Sequence, residues 1–363
     1  MTSIALERTD VVIGVDTHKD EHVAVAIDGL GGLIGEALFV PATTEGYADL
    51  LAWAVSLGPV HTFAVEGCGS YGTGLARFLR RHGHPPVEVA RPPRKGERRL
   101  SGKSDAIDAE HAARLVLSGS GTATPKLANG QVESIRLVKI TRDTAVKSHT
   151  TTIITLKAVL VTATDDLRSQ LEPLSEHKLV SACAELDTAG NIADPDVAMR
   201  HTLAALAKRW LALHDEIKTH TNHLKSLTKA AAPKMLDTYG IGFDTTAELL
   251  IAAGDNADRV RSEAALAKLC GVCPIPAGSG KTNGRHRLNR GGNRQANAAL
   301  YRVVIVRMRW HPPTIAYVER RTREGLSKKD IIRCLKRYVV REIYQLIPNI
   351  SGNAVPDELA KAA

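Results

Sequence analysis

The pattern typical of β-strands is concentrated in the first third of this chain, and long helical patterns follow it. Residues 11–15 form a β-branched run, residues 21–27 and 33–40 alternate, and residues 62–65 and 87–90 are two further short apolar runs. A helical pattern follows each of the last three strands, with Thr43 or Thr44 as one N-cap and Ser104 as another. This order of elements predicts a mixed α/β sheet.

The middle of the chain, residues 125–230, has a helical pattern. Residues 132–164 and 196–227 contain few glycines or prolines and carry apolar side chains three and four positions apart. Two helices of this length predict a helical, coiled-coil linker. Because 363 residues exceed one ordinary hydrophobic core, we expect an α/β plus α protein with domains at residues 10–122, 125–230 and 231–345 and a flexible tail at 346–363.

The composition is that of a globular protein. Hydrophobic residues make up 44% of the chain and charged residues 24%, with a mean hydropathy of −0.12, which excludes a wholly disordered chain. No uncharged apolar run is long enough for a membrane helix, residues 1–10 do not resemble a secretory signal, and the five cysteines do not form a disulfide framework. We expect a cytoplasmic, nucleoid-associated protein.

Positive charge is concentrated in two segments. The formal net charge is +9, yet residues 281–342 alone contain 17 Lys and Arg side chains against four acidic ones, and residues 91–103 form a second basic segment. Local clusters of this kind favour a polyanion partner, and we expect nucleic acid. The candidate nucleic-acid-binding residues are Arg94, Lys95, Arg98, Arg99, Lys103, Lys281, Arg285, Arg287, Arg290 and Arg294.

Four acidic residues stand at the ends of predicted elements. Asp16 ends the first strand, Glu66 ends the fourth, and Asp105 and Asp108 lie three residues apart at a helix start, where they share one face. Four converging carboxylates would repel one another unless a cation lay among them, and their oxygens suit Mg²⁺ or Mn²⁺. The pattern predicts a metal site for phosphodiester chemistry. The alternative for each acid taken singly is a local role in a turn or helix start.

The C-terminal part contains further candidate sites. Residues 236–250 have the pattern of a helix, a Gly-Ile-Gly turn and a helix. The amides of this turn could bind a phosphate. The alternative is a plain turn between helices. Residues 271–284 are predicted to be a loop, in which Ser279 lies between two glycines and beside Lys281, so it is either a nucleophile or part of a flexible loop. Cys270 and Cys273 form a C-x-x-C that favours a buried thiol pair over a metal site.

Six motifs occur in a fixed order along the chain. They are GVDTHK (14–19), VEGCGSY (65–71), GKSDAIDA (102–109), YGIG (239–242), PAGSGK (276–281) and RGGNR (290–294). Together they resemble the DEDD-type insertion-sequence transposases, relatives of the pilin-gene invertases, over nearly the full chain. The sequence departs from that family at Asn297, where a basic residue is frequent, and at Gly278, where another serine is frequent.

The resemblance implies a fold and a set of site residues. The N-terminal domain would be RuvC-like, with an RNase H fold in which Asp16, Glu66, Asp105 and Asp108 bind Mg²⁺. A coiled-coil linker and a C-terminal transposase domain would follow, with Ser279 as the nucleophile. The resemblance also implies guidance by a non-coding bridge RNA that pairs with donor and target DNA.

The expected activity is the cutting and exchange of DNA strands through a covalent phosphoserine. Because strand exchange needs at least two active sites, we expect a homodimer that assembles into a tetramer on DNA. The alternative is a Mg-dependent RuvC-like nuclease or Holliday-junction resolvase, in which the same acids activate water and Ser279 is a structural residue. Two other classes are less well supported. An actin-like ATPase would need a second set of Gly-rich phosphate turns, which the sequence does not contain. A purely RNA-binding module would leave the four acids without a role.

Overall fold

The first part of the chain forms a mixed sheet. The computed structural model describes residues 7, 9–89, 104–119, 122–256, 259–278, 286–288 and 291–347. The strands are β1 (Val11–Thr17), β2 (Glu21–Asp28), β3 (Leu33–Pro41), β4 (Val60–Glu66), β5 (Val87–Val89) and β6 (Thr122–Ala123). Their order is β3-β2-β1-β4-β5-β6, with β4 parallel to β1 and β2 antiparallel to it. The predicted mixed α/β sheet is confirmed, with β6 as a short strand that the sequence pattern did not indicate.

In the part of the chain that the structure describes, three helices cover this sheet, and two of them begin at the predicted caps. They are α1 (Thr44–Ser56), α2 (Thr73–Arg81) and α3 (Asp105–Leu117). Thr43 caps α1 by accepting from the Gly46 amide, and Ser104 caps α3 by accepting from the Ile107 amide. Every residue of β1 is buried, which explains its β-branched composition: both faces of this central strand are covered.

Helix α3 lies directly against β1 because small residues face each other there. Ala109, Ala112 and Ala113 are the buried residues of α3. A Cβ added to Gly14 would lie 1.9 Å from the Ala109 carbonyl oxygen and 2.7 Å from the Ala113 nitrogen. The backbones of α3 and β1 therefore approach so closely that only glycine fits at position 14.

Two of the helices that follow are long, as predicted, and three are short. They are α4 (Gln131–Leu160), α5 (Asp165–Leu171), α6 (Glu176–Ala184), α7 (Pro195–Ala231) and α8 (Pro233–Leu236). Helices α4 and α7 pack along each other, and a cluster that includes Leu156, Leu203 and Trp210 fills the space between them and α6. The apolar spacing seen in the sequence thus lines a buried seam.

The remaining elements are helical apart from one hairpin. They are α9 (Phe243–Ala253), α10 (Glu263–Leu269), β7 (Pro274–Pro276), β8 (His286–Leu288), α11 (Arg294–Trp310), α12 (Pro312–Arg323) and α13 (Lys328–Tyr344). Lys139 of α4 is buried and bonds to Asp244 (2.9 Å) and Glu248 (3.2 Å) of α9, as well as to Asp143 (3.1 Å). The stretch predicted as a loop at 271–284 differs in containing β7, whose two prolines fit a strand paired on one side only.

The chain divides into two compact units. The first comprises Met1–Asn129 and Ala253–Arg261, and the second comprises Gly130–Ala252 and Ser262–Ala363. Within the first unit, buried Asn256 donates to the Pro125 carbonyl (3.1 Å) and so holds the returning segment. The boundaries expected from the sequence, with a separate linker and C-terminal domain, stay a prediction. Among the helices of the described residues, none is both long and apolar enough to cross a membrane.

Candidate active site

Asp16 and Glu66 lie side by side at one edge of the first sheet. Val15 of β1 pairs with Val65 of β4 in parallel register, so the next residue of each strand is acidic. The Thr17 hydroxyl donates to the Glu66 carbonyl oxygen at 2.8 Å, which holds the two strand ends together. The carboxyl ends of neighbouring parallel strands are where α/β sheets build their sites.

Helix α3 brings two further carboxylates. Asp105 and Asp108 are in its first turn, where the helix dipole favours negative charge. The backbone amide of Asp108 donates to the carbonyl of the cap residue Ser104 at 3.1 Å, so the first turn is regular. Since α3 packs on β1 at Gly14, its N-terminal turn is held near the end of that strand.

The closest convergence joins Asp16, His18 and Asp105. The His18 Nε2 atom lies 3.2 Å from Asp16 Oδ2 and 3.5 Å from Asp105 Oδ1. One ligand atom from each residue lies within 4.8 Å of the other two, which makes this a possible metal-binding group among the described residues. Glu66 and Asp108 lie outside this set of three.

His18 is a residue that the sequence reasoning missed. It belongs to the GVDTHK motif and stands two positions after Asp16, at the end of β1. In an extended chain, side chains two residues apart point to the same face. That spacing was the available signal that an imidazole would lie beside the carboxylate.

The electrostatics of Asp16 fit a site for a cation. Burial raises the pKa of the Asp16 carboxyl above its usual value; His18 opposes the shift, whereas nearby Asp108 and Asp105 raise the pKa further. A divalent cation would remove this repulsion between carboxylates. The carboxylate oxygens suit Mg²⁺ or Mn²⁺, and the imidazole is a softer donor that Mn²⁺ accepts more readily. The donor set therefore fits a divalent metal ion.

The segment that carries Ser279 connects the two strands of the hairpin. Pro276 of β7 pairs with His286 of β8, and residues 277–285 run between them. Ser279 and eight of the predicted nucleic-acid-binding residues lie outside the described residues; the eight are Arg94, Lys95, Arg98, Arg99, Lys103, Lys281, Arg285 and Arg290. The other two, Arg287 on β8 and Arg294 at the start of α11, are exposed.

The base of this segment is held by close backbone contacts. A Cβ added to Gly292 would lie 2.1 Å from the Gly271 nitrogen, so the chain before β7 and the chain after β8 touch. Asn297 of α11 donates from Nδ2 to the carbonyls of Cys270 (2.9 Å) and Gly271 (3.1 Å) and accepts from Lys336 (2.7 Å). Asn297, which departs from the family pattern, thus has a structural role.

Two other motifs have ordinary surroundings. Cys270 is buried, which raises the pKa of its thiol to about 12, whereas Cys273 is partly exposed, so the expected buried pair is wrong for the second cysteine. The Gly-Ile-Gly turn lies between α8 and α9, as predicted from the pattern of a helix, a turn and a helix, with Gly240 at φ +78°. Arg307 donates to the Tyr239 carbonyl at 2.9 Å and thereby fixes the turn to α11.

These features define a class: a mixed α/β domain with carboxylates gathered at one edge of its sheet, followed by a helical part. Two family models match the chain, a DEDD transposase model over residues 13–164 and the Transposase IS116/IS110/IS902 family model over residues 233–319. Together they cover more than half of the sequence. The chain belongs to the DEDD-type IS110 family of transposases, and the DEDD match implies an RNase H-like fold for the first unit.

Two curated proteins are similar to part of the chain. An uncharacterized 43.6 kDa protein of insertion element IS110 from Streptomyces coelicolor is 25% identical over 145 residues, which is 39% of this chain. An uncharacterized 42 kDa protein of insertion element IS900 from Mycobacterium paratuberculosis is 26% identical over 147 residues, or 40% of the chain. The matches span 36% and 37% of the relatives' own lengths.

Proposed function

We propose that this protein is an insertion-sequence transposase that cuts and exchanges DNA strands between element and target. The observation that carries this proposal is the convergence of Asp16, His18 and Asp105 at the sheet edge in a chain of the DEDD family. Carboxylates arranged this way are suited to metal-assisted displacement at phosphorus. The localisation that fits this role is the nucleoid.

The carboxylates are the metal-binding part of the site. As expected from the sequence, the residues that would hold the cation are Asp16, Glu66, Asp105 and Asp108. His18 contacts two of them, Asp16 and Asp105. When bound, Mg²⁺ or Mn²⁺ supplies positive charge that stabilises the phosphate oxygens and the leaving oxygen. Buried Asp16 is fixed at the end of β1, whereas the more exposed Asp105 is placed by the position of α3.

Ser279 is the proposed nucleophile. Its hydroxyl oxygen attacks a backbone phosphate, the bond from phosphorus to one deoxyribose oxygen breaks, and that oxygen takes up a proton. The product is a phosphoserine and a free hydroxyl on the other DNA end. A hydroxyl of the partner DNA then attacks the phosphoserine, which restores the serine and joins the exchanged strands. Support comes from the family match and from the glycines on either side of Ser279.

The partners follow from the charge and the family. Donor and target DNA and a bridge RNA that pairs with both would contact the two basic segments through their phosphates. The acids and the serine lie in the two separate family matches, so the proposed chemistry requires both parts of the sequence. We propose a homodimer that assembles into a tetramer on DNA. The proposed domain boundaries are those expected from the sequence.

A covalent-trapping assay tests this function. Purified protein is mixed with labelled element-junction DNA, Mg²⁺ and RNA transcribed from the element's non-coding end, and the products are separated on a denaturing gel. We expect a protein–DNA band with the wild type and Ser279→Cys, and none with Ser279→Ala or Asp105→Asn. Asp165→Asn is the matched control, because Asp165 is an exposed aspartate that, like Asp105, lies in the first turn of a helix.

The outcomes separate the proposal from its alternative. Cleaved DNA without a shifted band, with Ser279→Ala as active as wild type, would assign the carboxylates to water-activating hydrolysis by a RuvC-like nuclease. No cleavage by the wild type under any metal or RNA condition would contradict the proposed function itself.

A further inference from the structure

The second unit contains a pocket that the proposed reaction does not use. Its volume is about 550 Å³, within the range of sites that bind small ligands. Strand β8, helix α12 and helix α13 contribute to its wall, with Val272 and Leu326 among its apolar residues. Its polar and aromatic lining includes Arg287, Arg321, Arg333, Arg337, Arg341 and Tyr338. His286 and Arg287 of β8 are part of the lining, and in the sequence β8 directly follows the segment with Ser279.

Arginine charge exceeds acidic charge around the pocket. Arg333 is paired with Asp330 at 2.7 Å, and Arg341 and Arg337 share Glu263. These three guanidinium groups therefore share two carboxylates, of which Asp330 lines the pocket and Glu263 does not. Arg287 adds a further exposed cation from β8. Guanidinium groups bind phosphate oxygens through paired N–H donors, so the excess charge suits a phosphodiester.

A second observation concerns Arg321. Its Nε atom is buried and has no hydrogen-bond partner among the described residues, although another nitrogen of the same guanidinium bonds to Glu324. A buried donor without a partner is costly and is usually satisfied by a ligand or water. Arg321 lines the pocket, and Glu324 uses only part of the hydrogen-bonding capacity of its guanidinium group.

An aromatic ring lies at the mouth of the pocket. Tyr338 is 50% exposed, its ring meets Tyr317 edge-on at 5.6 Å, and the Arg341 guanidinium lies 5.7 Å from its centre. The neighbouring ring and guanidinium fix the orientation of Tyr338 while half of its surface stays accessible. Exposed rings among arginines are the usual platforms on which unpaired bases stack.

We propose that this pocket binds an unpaired nucleotide of a single-stranded nucleic acid, with its base stacked on Tyr338 and its phosphates held by the arginines. A duplex does not fit this chemistry, because its paired bases are stacked on one another and present no free face. The proposal goes beyond the strand-exchange function, since it needs neither the carboxylates nor Ser279.

Fluorescence anisotropy with the full-length protein in EDTA tests this site without any cleavage. The probes are a labelled oligothymidylate of about 12 nucleotides, the oligouridylate of equal length, an abasic deoxyribose-phosphate chain, and a duplex. Tyr338→Ala should weaken oligothymidylate binding about 5- to 150-fold, from the usual strength of base stacking. Tyr338→Phe, which keeps the ring, should bind as the wild type does.

The abasic chain makes the test specific. If Tyr338 stacks on a base, Tyr338→Ala should bind the abasic chain and the duplex as well as the wild type does. Arg333→Ala should weaken binding of oligothymidylate and of the abasic chain, because both carry phosphates. It should also reduce the steepness of the plot of log affinity against log salt concentration by about 0.7. If Tyr338→Ala loses affinity for oligouridylate but not for oligothymidylate, the pocket binds RNA. If it loses affinity for oligothymidylate but not for oligouridylate, the pocket binds DNA.

Two matched controls complete the test, and two results would overturn the proposal. Trp310→Ala removes a ring that is 70% exposed, and Arg309→Ala removes an exposed cation, both from α11 outside the pocket lining. The proposal is wrong if these controls lose as much affinity as the pocket variants, or if Tyr338→Ala loses equal affinity for the abasic chain. Thermal unfolding of each variant identifies any loss caused by misfolding. If Tyr338→Ala misfolds, Arg333→Ala at an exposed pocket residue keeps the proposal testable.

Discussion

The contact between Gly14 and α3 allows a prediction about how the carboxylate site is held. In Gly14→Ala the new methyl group would lie 1.9 Å from the Ala109 carbonyl oxygen, whereas ordinary contacts begin at 3.4 Å. Helix α3 must therefore move away from β1 by about 1.5 Å, since a strand buried on both faces cannot yield as easily. The Gly14 backbone is not in the left-handed region, so the effect is steric alone.

The shift affects both stability and the site. Overpacking of a well-packed core costs about 1–3 kcal/mol in the free energy of unfolding. Asp105 in the first turn of α3 lies 3.5 Å from His18, and a displacement above 1 Å separates these groups. A misplacement of about 1 Å can reduce the rate of a reaction about 100-fold. We expect both losses in Gly14→Ala.

Urea unfolding and the covalent-trapping assay measure the two effects. Gly69→Ala is the control, because an added Cβ there meets no atom within 4 Å in the part of the chain that the structure describes. Ala109→Gly should not rescue Gly14→Ala, since the obstructing atom belongs to the backbone. The packing argument fails if Gly14→Ala matches the control in both assays, or if Ala109→Gly restores stability and activity.

Two further predictions concern buried lysines of the second unit. Lys139→Met should lower the free energy of unfolding, measured in urea, by about 3 kcal/mol, because three carboxylates lose their cation; the value is at the low end for a buried charge since those carboxylates are partly exposed. The control Lys157→Met, at an exposed ion pair, should cost at most about 1 kcal/mol. Equal losses in the two variants would contradict the stabilising role of the buried lysine. Burial lowers the pKa of Lys336, so the wild type should gain stability relative to Lys336→Gln as the pH rises toward the ordinary lysine pKa of about 10.4. A stability difference that does not change with pH would contradict this.

Local sequence signals were sufficient for the secondary structure around the site. The β-branched run of β1 is buried on both faces, and Thr43 and Ser104 cap their helices as expected. These features depend on residues close together in sequence, where side-chain period and capping chemistry act directly. The same holds for Asp16 and Glu66, because a carboxylate at the end of a strand is placed by that strand alone.

Other parts of the site depend on contacts between distant residues. His18 bridges Asp16 and Asp105 only because α3 returns to β1, and the residue that permits this approach is Gly14. The four acids are equivalent candidates in the sequence, whereas the structure brings two of them together with a histidine. The roles of all four as metal ligands stay a prediction.

The sequence by itself determined the mixed sheet, the long helices, the acids at the element ends and the family to which the chain belongs. Tertiary structure decided which side chains meet: the His18 contact, the Gly14 approach, and the pocket that joins Val272 to Tyr338 across distant elements. The physical reason is that periodicity and capping act within a few residues. Close packing, in contrast, depends on the shapes of surfaces far apart along the chain.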